Sequence, residues 1–139
     1  MAGYSGTPLP QKLGLKANEH VVLIGVPRNY TDLLGENLPS GIAFSERMNT
    51  GARFVHLFST KRSELQNKLV TLRKQLADDG TLWVSWPKKS AGVPTDVTED
   101  VIRAVALPLG FVDVKVCAVD ETWSGLKLMV RRTNRGSKK

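Results

Sequence analysis

The sequence is poor in the residues that build disulfides, metal centres and membrane spans. It has 1 Cys and 2 His among 139 residues. A single cysteine cannot form an intramolecular disulfide, and His20, His56 and Cys117 lie too far apart in sequence to show the spacing of a zinc site. The longest apolar runs, such as Val21–Ile24, are far shorter than a bilayer requires. Together with an N-terminus unlike a signal peptide, these absences predict a cytoplasmic protein without metal.

Acidic residues are also scarce, because 13 Asp and Glu face 20 Lys and Arg, giving a net charge of +7 and a pI near 9.8. This balance favours acidic partners such as nucleic acid, a nucleotide or phosphate. Residues 131–139 hold five of the cations and no acid. We therefore expect residues 1–131 to form one domain with an N-terminal arm at 1–12, followed by a basic, disordered tail at 132–139.

The order of apolar segments predicts an α/β fold. Continuous β-branched or aromatic runs are typical of strands buried on both faces, and leucines at steps of four and three indicate a helix with one apolar side. A capping box of Ser63 and Gln66 is expected to begin that helix, and a second helix is expected to begin near Asp96. The predicted strands lie at residues 21–25, 42–44, 54–58, 82–86, 112–119 and 126–131, and the predicted helices at 65–76 and from 96 to about 107.

Right-handed crossovers turn this order into a single Rossmann-like, mostly parallel sheet with an antiparallel hairpin at its C-terminal end. In such sheets ligands bind beyond the carboxyl ends of the parallel strands. Every loop expected at that edge carries a cation, with hydroxyl groups nearby. The candidate ligand-binding residues are Arg28, Lys61, Arg62, Trp86, Lys88, Lys89, Ser90 and Thr95, with Glu46 and Arg47 after the second strand.

This basic edge has two interpretations. A bound anion would offset the cations Lys61 and Arg62 at a helix start, where a positive charge alone is unfavourable. The alternative is a solvated rim on a basic protein, since surface lysines usually do no more than hydrate. Trp86 could stack on a ring at the rim or belong to the core, and the core is the more frequent place for such a residue.

Other reactive residues are assigned structural roles. Cys117 lies within a predicted strand and is expected to be an inert thiol, and His56 in an apolar strand is expected to be a satisfied core histidine. Asp120 and Glu121 are neighbours in a turn, where two carboxylates rarely act together across a substrate. No set of residues in the sequence specifies a reaction.

Two resemblances add to this interpretation. The stretches Leu76–Val84 and Ala106–Phe111 resemble the second half of a class I methyltransferase fold. That resemblance implies a glycine-rich cofactor loop after the first strand and an acid after the second. Here the loop is Gly25-Val26-Pro27-Arg28, with one glycine and one proline, and Glu46 stands beside Arg47. Cations also match poorly with S-adenosylmethionine, which is itself a sulfonium cation.

The second resemblance covers nearly the whole chain. The stretches Tyr4–Gly14, Trp86–Asp96 and Val116–Leu126 resemble a family of small bacterial proteins known only as a domain of unknown function. This implies no activity, cofactor or catalytic residue.

Three hypotheses follow. The first is a non-catalytic module that binds an anionic ligand or partner at the carboxyl edge, with no cofactor. The second is an unusual S-adenosylmethionine-dependent methyltransferase, which a cavity beside Gly25 would favour. The third is an interaction protein that forms oligomers through its hairpin, or binds nucleic acid through its tail.

Overall fold

The computed structural model describes residues 7–48 and 50–131, whose strands form one six-stranded sheet in the order β2-β1-β3-β4-β6-β5. Strands β1 to β4 are parallel to one another, and β6 is antiparallel to both β4 and β5. The elements in chain order are α1 (Leu9–Leu13), β1 (His20–Ile24), α2 (Tyr30–Leu34), β2 (Ala43–Ser45), β3 (Ala52–Phe58), α3 (Arg62–Gln75), β4 (Leu76–Pro87), α4 (Glu99–Ala106), β5 (Phe111–Ala118) and β6 (Trp123–Val130).

This arrangement confirms the expected fold class, a Rossmann-like sheet with an antiparallel C-terminal hairpin. Strand β6 returns between β4 and β5, so β5 is the outermost strand on that side. Pro87 at the end of β4 pairs with Trp123 at the start of β6. The turn of the hairpin therefore lies at the same edge of the sheet as the carboxyl ends of the parallel strands.

Helices α3 and α4 cover one face of the sheet with a conventional aliphatic core. Leu65, Leu69 and Leu72 are at most 1% exposed and lie on one side of α3, as their spacing predicts. On α4 the buried residues are Ile102, Val105 and Ala106. The α4 residue Arg103 also donates from Nε to Asp113 of β5 at 2.7 Å, so an ion pair ties this helix to the outermost strand.

Helices α1 and α2 cover the opposite face, and each has only five residues. Such short helices supply few side chains, so the sheet itself contributes large aromatic residues there. Trp83 is fully buried, and its indole Nε1–H donates to the carbonyl oxygen of Leu13 at 2.9 Å. This bond satisfies the one polar atom of the indole and fixes the end of α1 on the sheet.

A chain of three buried polar side chains lies on this same face. The Tyr30 hydroxyl hydrogen-bonds to His56 Nδ1 at 2.7 Å, and His56 Nε2 hydrogen-bonds to the Ser85 hydroxyl at 2.8 Å. Both ring nitrogens are thus satisfied, which confirms that His56 is a core histidine. Burial lowers the pKa of His56 from 6.5 to about 3, so the imidazole is neutral in the folded protein.

The structure corrects several predicted boundaries. Part of the expected surface arm is helix α1, whose Leu9 and Leu13 belong to the core. The predicted capping box is wrong, because α3 begins at Arg62 with Lys61 at the N-cap and no side-chain bond from Ser63. The second helix begins at Glu99, where Thr98 accepts the amide of Val101 at 3.2 Å. The predicted tail at 132–139 lies outside the described residues.

The buried histidine predicts a specific loss of stability in acid. In the unfolded chain a histidine binds a proton near its ordinary pKa of 6.5, whereas His56 in the folded protein does so only near 3. The unfolded state therefore binds more protons within this range, and the contribution of His56 to stability, complete above pH 6.5, is lost as the pH falls toward 3. At pH 5 the loss is about 2 kcal/mol.

Urea unfolding at pH 7 and pH 5 measures this loss. We expect the decrease in unfolding free energy between the two pH values to be smaller in His56→Gln than in the wild type by that amount. The exposed His20 provides the matched control, because His20→Gln keeps a buried His56. An equal pH dependence in wild type and His56→Gln would contradict the assignment, as would an NMR titration of the wild-type His56 ring near pH 6.5.

Candidate functional site

The carboxyl edge of the sheet brings together the loops that the sequence predicts to bind a ligand. Following the strand order, the loop after β2 carries Glu46 and Arg47, the loop after β1 carries Arg28, and the loop after β3 carries Lys61 and Arg62. The loop after β4 carries Lys88, Lys89 and Ser90, and the hairpin turn lies beside it. The candidates thus spread along the whole edge rather than around one point.

The start of α3 is already occupied by an anion from the chain itself. Asp96 accepts the backbone N–H of Arg62 through its Oδ1 at 2.6 Å. A carboxylate at this position satisfies a free helix N–H and interacts favourably with the positive end of the helix dipole. The sequence suggested a bound anion because two cations, Lys61 and Arg62, lie at a helix start. Asp96 already supplies a negative charge at this position.

Thr95 strengthens the same connection between two loops. Its hydroxyl donates to the carbonyl oxygen of Thr60 at 2.7 Å and accepts the amide of Val97 at 3.0 Å. The amide of Asp96 also donates to the carbonyl oxygen of Thr60 at 3.3 Å. The hydroxyl proton of Thr95 is therefore engaged within the protein, and the loop after β4 is fixed to the loop after β3.

The basic residues that directly follow β4 lie next to the hairpin turn. The backbone N–H of Lys88 donates to Thr122 of the hairpin turn at 2.7 Å, and Lys89 and Ser90 are exposed in a short 3-10 turn. Asp120 accepts the amides of Thr122 and Trp123 at 2.8 and 2.7 Å, so its carboxylate shapes the turn. This confirms a structural role for Asp120.

Trp86 does not lie on the rim. Its side chain is 8% exposed and belongs to the core between the sheet and helices α3 and α4. On the opposite face, Trp123 at the start of β6 packs edge-on against Phe58 at the end of β3, with ring centroids 4.9 Å apart. Arg28 is exposed in the loop between β1 and α2.

A cavity of about 360 Å³ opens where the carboxyl ends of β1 and β2 meet. One wall is the end of β1, which presents aliphatic side chains and polar backbone in similar measure, and Glu46 supplies a carboxylate from the loop after β2. Gly25 adopts φ +68°, and a Cβ atom there would lie 2.8 Å from the carbonyl oxygen of Phe58. Glycine is therefore required for the backbone turn at this wall. The lining residues are Leu23, Ile24, Gly25, Val26 and Glu46.

Two other cavities do not include the end of β1, although the candidate residue Arg62 lines the smaller one. One of about 480 Å³ is at the amino ends of β1 and β3, lined in part by Lys16, His20 and Arg53, and one of about 200 Å³ lies between α3 and α4. The amino-edge cavity is the largest of the three, but Arg53 on its wall is paired with Asp79 at 2.7 Å. We favour the cavity at the carboxyl edge because ligands of open α/β sheets bind there.

Cys117 has the environment of an unactivated thiol. It lies half-buried in β5, and burial raises its pKa, an effect that Lys12 and Lys115 oppose through their charges. A thiol with a raised pKa is a poor nucleophile at neutral pH. This agrees with the expectation from the sequence.

Sequence comparison identifies the family. A family model described as a protein of unknown function, DUF3052, matches residues 44–132. This match spans more than half of the chain, from β2 through β6. The chain belongs to the DUF3052 family. No curated protein matches the sequence. The family match includes Glu46 and the loop after β4, whereas Gly25 and Arg28 precede it.

The fold of this DUF3052 protein is similar to that of methyltransferases. A SAM-dependent methyltransferase from Aquifex aeolicus aligns with a TM-score of 0.59 at 14% identity, covering 86% of each chain. A putative type 11 methyltransferase from Sulfolobus solfataricus aligns with a TM-score of 0.55 at 12% identity, covering 85% of this chain and 88% of the other. At these identities the similarity concerns the fold alone. No helix among residues 7–48 and 50–131 is long and apolar enough to cross a membrane.

The sequence did not reveal the role of Asp96 or the cavity at the end of β1. Asp96 stands three residues before the start of α4, so it looked like the cap of the following helix, whereas it caps α3, which begins 34 residues earlier. Leu23, Ile24 and Val26 looked only like the end of a buried strand. A contact between distant loops leaves no local pattern in the sequence.

Replacing Asp96 tests whether it acts as the anion at the start of α3. We expect Asp96→Ala to lower the unfolding free energy by about 1 kcal/mol, because an N-cap bond is lost. We also expect the variant to be stabilised by inorganic phosphate more than the wild type is, because the vacated helix start then binds the external anion. Thermal unfolding with and without phosphate at low salt measures both effects.

The control is Glu121→Ala, which removes one negative charge from an exposed position in the hairpin turn. It should change neither the stability nor the response to phosphate. If Asp96→Ala and Glu121→Ala show the same stability and the same response to phosphate, the bond between Asp96 and Arg62 does not stabilise the protein.

Proposed function

We propose that this DUF3052 protein is a non-catalytic module that binds an anionic nucleotide at the carboxyl edge of its sheet. The observation that supports this proposal best is the cavity between the ends of β1 and β2, which is lined by aliphatic residues, polar backbone and a single carboxylate. Small-molecule sites are generally apolar pockets of this size range with a few polar groups that orient the ligand.

The position of Glu46 fits a ribose. In dinucleotide-binding α/β folds, an acidic residue about 20 positions after the glycine turn accepts the ribose hydroxyls. Glu46 follows the strand adjacent to β1 and lines the same cavity as Gly25. A carboxylate accepts hydrogen bonds only, so it suits a pair of hydroxyl donors and disfavours a phosphate.

The cations of the neighbouring loops then suit the anionic part of the ligand. Arg28 follows the β1 wall of the cavity, and Lys61 follows the next strand in the sheet. Both are exposed, and neither takes part in an ion pair within the described part of the chain. Lys88, Lys89 and Ser90 lie beyond the connection formed by Thr95 and Asp96, so we expect a smaller contribution from them.

The described residues around this cavity support binding better than catalysis. General acid–base chemistry requires a titratable group beside the ligand whose pKa is matched to the reaction. The groups with strongly shifted pKa values, His56 and Tyr30, are instead buried in the core, where they hydrogen-bond to each other. Glu46 is the one titratable side chain among the residues that line the cavity.

A methyltransferase is the second candidate, and a specific observation favours it. A cavity with a carboxylate lies beside the turn after β1, and the similar solved structures include proteins described as SAM-dependent methyltransferases. The cations along the edge oppose this candidate, because they would repel the sulfonium group. The two candidates differ in the charge of the preferred ligand.

Calorimetric titration with adenosine, AMP, ADP and S-adenosylmethionine distinguishes the candidates. We expect AMP to bind about tenfold more tightly than adenosine at low salt, because the phosphate gains charge-assisted hydrogen bonds from Arg28 and Lys61. In the double variant Arg28→Ala/Lys61→Ala this advantage should disappear. S-adenosylmethionine should bind less tightly than AMP.

The role of Glu46 is tested with an analogue that lacks both ribose hydroxyls. Glu46→Gln should weaken AMP about tenfold and leave 2′,3′-dideoxy-AMP unchanged, because the analogue has no hydroxyls to donate. Glu36→Gln makes the same chemical change at an exposed position and serves as the control. Tighter binding of S-adenosylmethionine than of AMP would support the methyltransferase, and no binding of any of these compounds would exclude both candidates.

A further inference from the structure

The amino-edge cavity, of about 480 Å³, lies at the opposite end of the strands from the proposed nucleotide site. Sites for small molecules commonly have volumes in this range. The walls come from the turn before β1 and from the first residues of β1 and β3, and they combine charged with aliphatic side chains. The lining includes Lys16, Ala17, Glu19, His20, Val22 and Arg53.

The amino-edge cavity lies where two neighbouring strands separate. Strand β1 begins at His20 and β3 begins at Ala52, but the pairing between them begins only at Val22 and Val55. The first residues of the two strands therefore diverge instead of continuing the sheet. This gap follows from the course of the backbone and is thus present without a ligand.

An irregularity in the next strand sets the position of Arg53. The pairing of β3 with β4 shifts between Ala52 and Phe54, so residues 77–80 of β4 form a bulge opposite Arg53. Within this bulge, Asp79 accepts a hydrogen bond from Nη2 of Arg53 at 2.7 Å. Bulges are frequent beside binding sites, where they re-aim a side chain. Here the bulge holds a guanidinium group at the wall of the cavity.

The ion pair with Asp79 uses only part of the guanidinium group of Arg53. This group carries several N–H donors in a planar fork, and within the described residues its hydrogen bond to Asp79 comes from Nη2. The two side chains are 64% and 58% exposed, so a ligand can reach them. The other N–H groups of Arg53 are available to a carboxylate, whose oxygens match the fork.

Glu19 supplies a carboxylate from the turn before β1. Its Oε1 accepts the backbone amide of Lys16 at 3.0 Å, and the amide of Asn18 donates to the carbonyl oxygen of Ser40 at 2.8 Å, so this turn is fixed. A carboxylate accepts hydrogen bonds through both of its oxygens. Among the hydrogen bonds of the described residues, none uses Oε2 of Glu19. This oxygen is therefore available to an ammonium group.

We infer that the amino-edge cavity binds a free amino acid with a small aliphatic side chain. Arg53 donates to the α-carboxylate of the amino acid, and Glu19 accepts from its ammonium group. The side chain lies against Ala17 and Val22, which supply aliphatic surface in the lining.

The two signs of charge in the lining favour a zwitterion over an anion. Glu19 lines the same cavity as Arg53, and both charges lie on fixed segments of backbone. A ligand with a single charge would engage one of these groups only, whereas the two charges of an amino acid engage both. Hydrogen bonds between charged partners are the stronger kind, so each contact contributes to selectivity.

This inference does not depend on the proposed nucleotide site. Among the residues that the structure describes, the two cavities share no lining residue, because one is lined from β1 up to Val22 and the other from Leu23 onward. Failure of either proposal therefore leaves the other unaffected.

NMR titration of the full chain with valine, combined with calorimetry, tests the inference. We expect a Kd below about 1 mM. The ring resonances of His20, which lines the cavity, should shift on binding, and those of the buried His56 should not. Isovalerate lacks the ammonium group of valine and isobutylamine lacks its carboxylate. Each should bind at least about tenfold more weakly than valine, because one charge-assisted contact is lost.

Two substitutions assign the two contacts. Arg53→Ala should weaken valine about tenfold and leave isobutylamine unchanged, because this amine has no carboxylate. Glu19→Gln should weaken valine about tenfold and leave isovalerate unchanged. Glutamine keeps an oxygen that can accept the amide of Lys16, so the turn is retained.

The controls are Arg62→Ala and Glu36→Gln, which make the same chemical changes at exposed positions outside the cavity. Each should change the affinity for valine less than about threefold. The inference is overturned if valine does not bind at millimolar concentration, or if isovalerate or isobutylamine binds as tightly as valine. Equal losses of affinity in Arg53→Ala and Arg62→Ala would also overturn it.

Discussion

The thin cover on one face of the sheet is the constraint on which most of this structure depends. Helices α3 and α4 give the other face an ordinary aliphatic core, whereas α1 and α2 have five residues each. Two short helices cannot fill the space above a six-stranded sheet with leucines alone. Large side chains with polar tips, Trp83, Tyr30 and His56, fill it instead, and each polar tip has a hydrogen-bond partner.

Because α1 and α2 cover only part of this face of the sheet, charged side chains can occur on the same face of the hairpin. Between β4 and β5, the row of residues on this face runs from the buried Trp83 through Lys127 to the exposed Lys115. Exposure increases outward along this row, since Lys127 is half-buried and Lys115 is exposed. Solvent exposure permits lysine there but does not require two lysines opposite one another, since any polar pair would serve. Lysine on the outermost strand also disfavours pairing of its free edge with another chain.

At the carboxyl edge, internal hydrogen bonds decide which loops are available to a ligand. Asp96 and Thr95 fix the loop after β4 to the loop after β3 and satisfy the start of α3. The cations that looked most like an anion site from the sequence are thus placed beside a carboxylate of the chain. Within residues 7–48 and 50–131, no such side-chain bridge fixes the loop after β1 to a neighbouring loop, and the cavity lies there. Positive charge alone does not single out one point on this edge, because the cations are spread along the whole edge while a cavity is local.

The sequence predicted most of the fold, because strands and helices leave periodic patterns. The leucine spacing of α3 and the β-branched runs of β1 and β3 identified those elements, and the order of strands identified the sheet. The roles of Asp96, Leu13 and Trp83 depended on contacts between distant segments, as in the bond from Trp83 to Leu13 across 70 residues. Patterns within a window of a few residues carry no signal for such pairs. For the same reason Lys115 and Lys127, unremarkable as single residues in two strands, become informative only once their register is known, since it is the register that makes them neighbours.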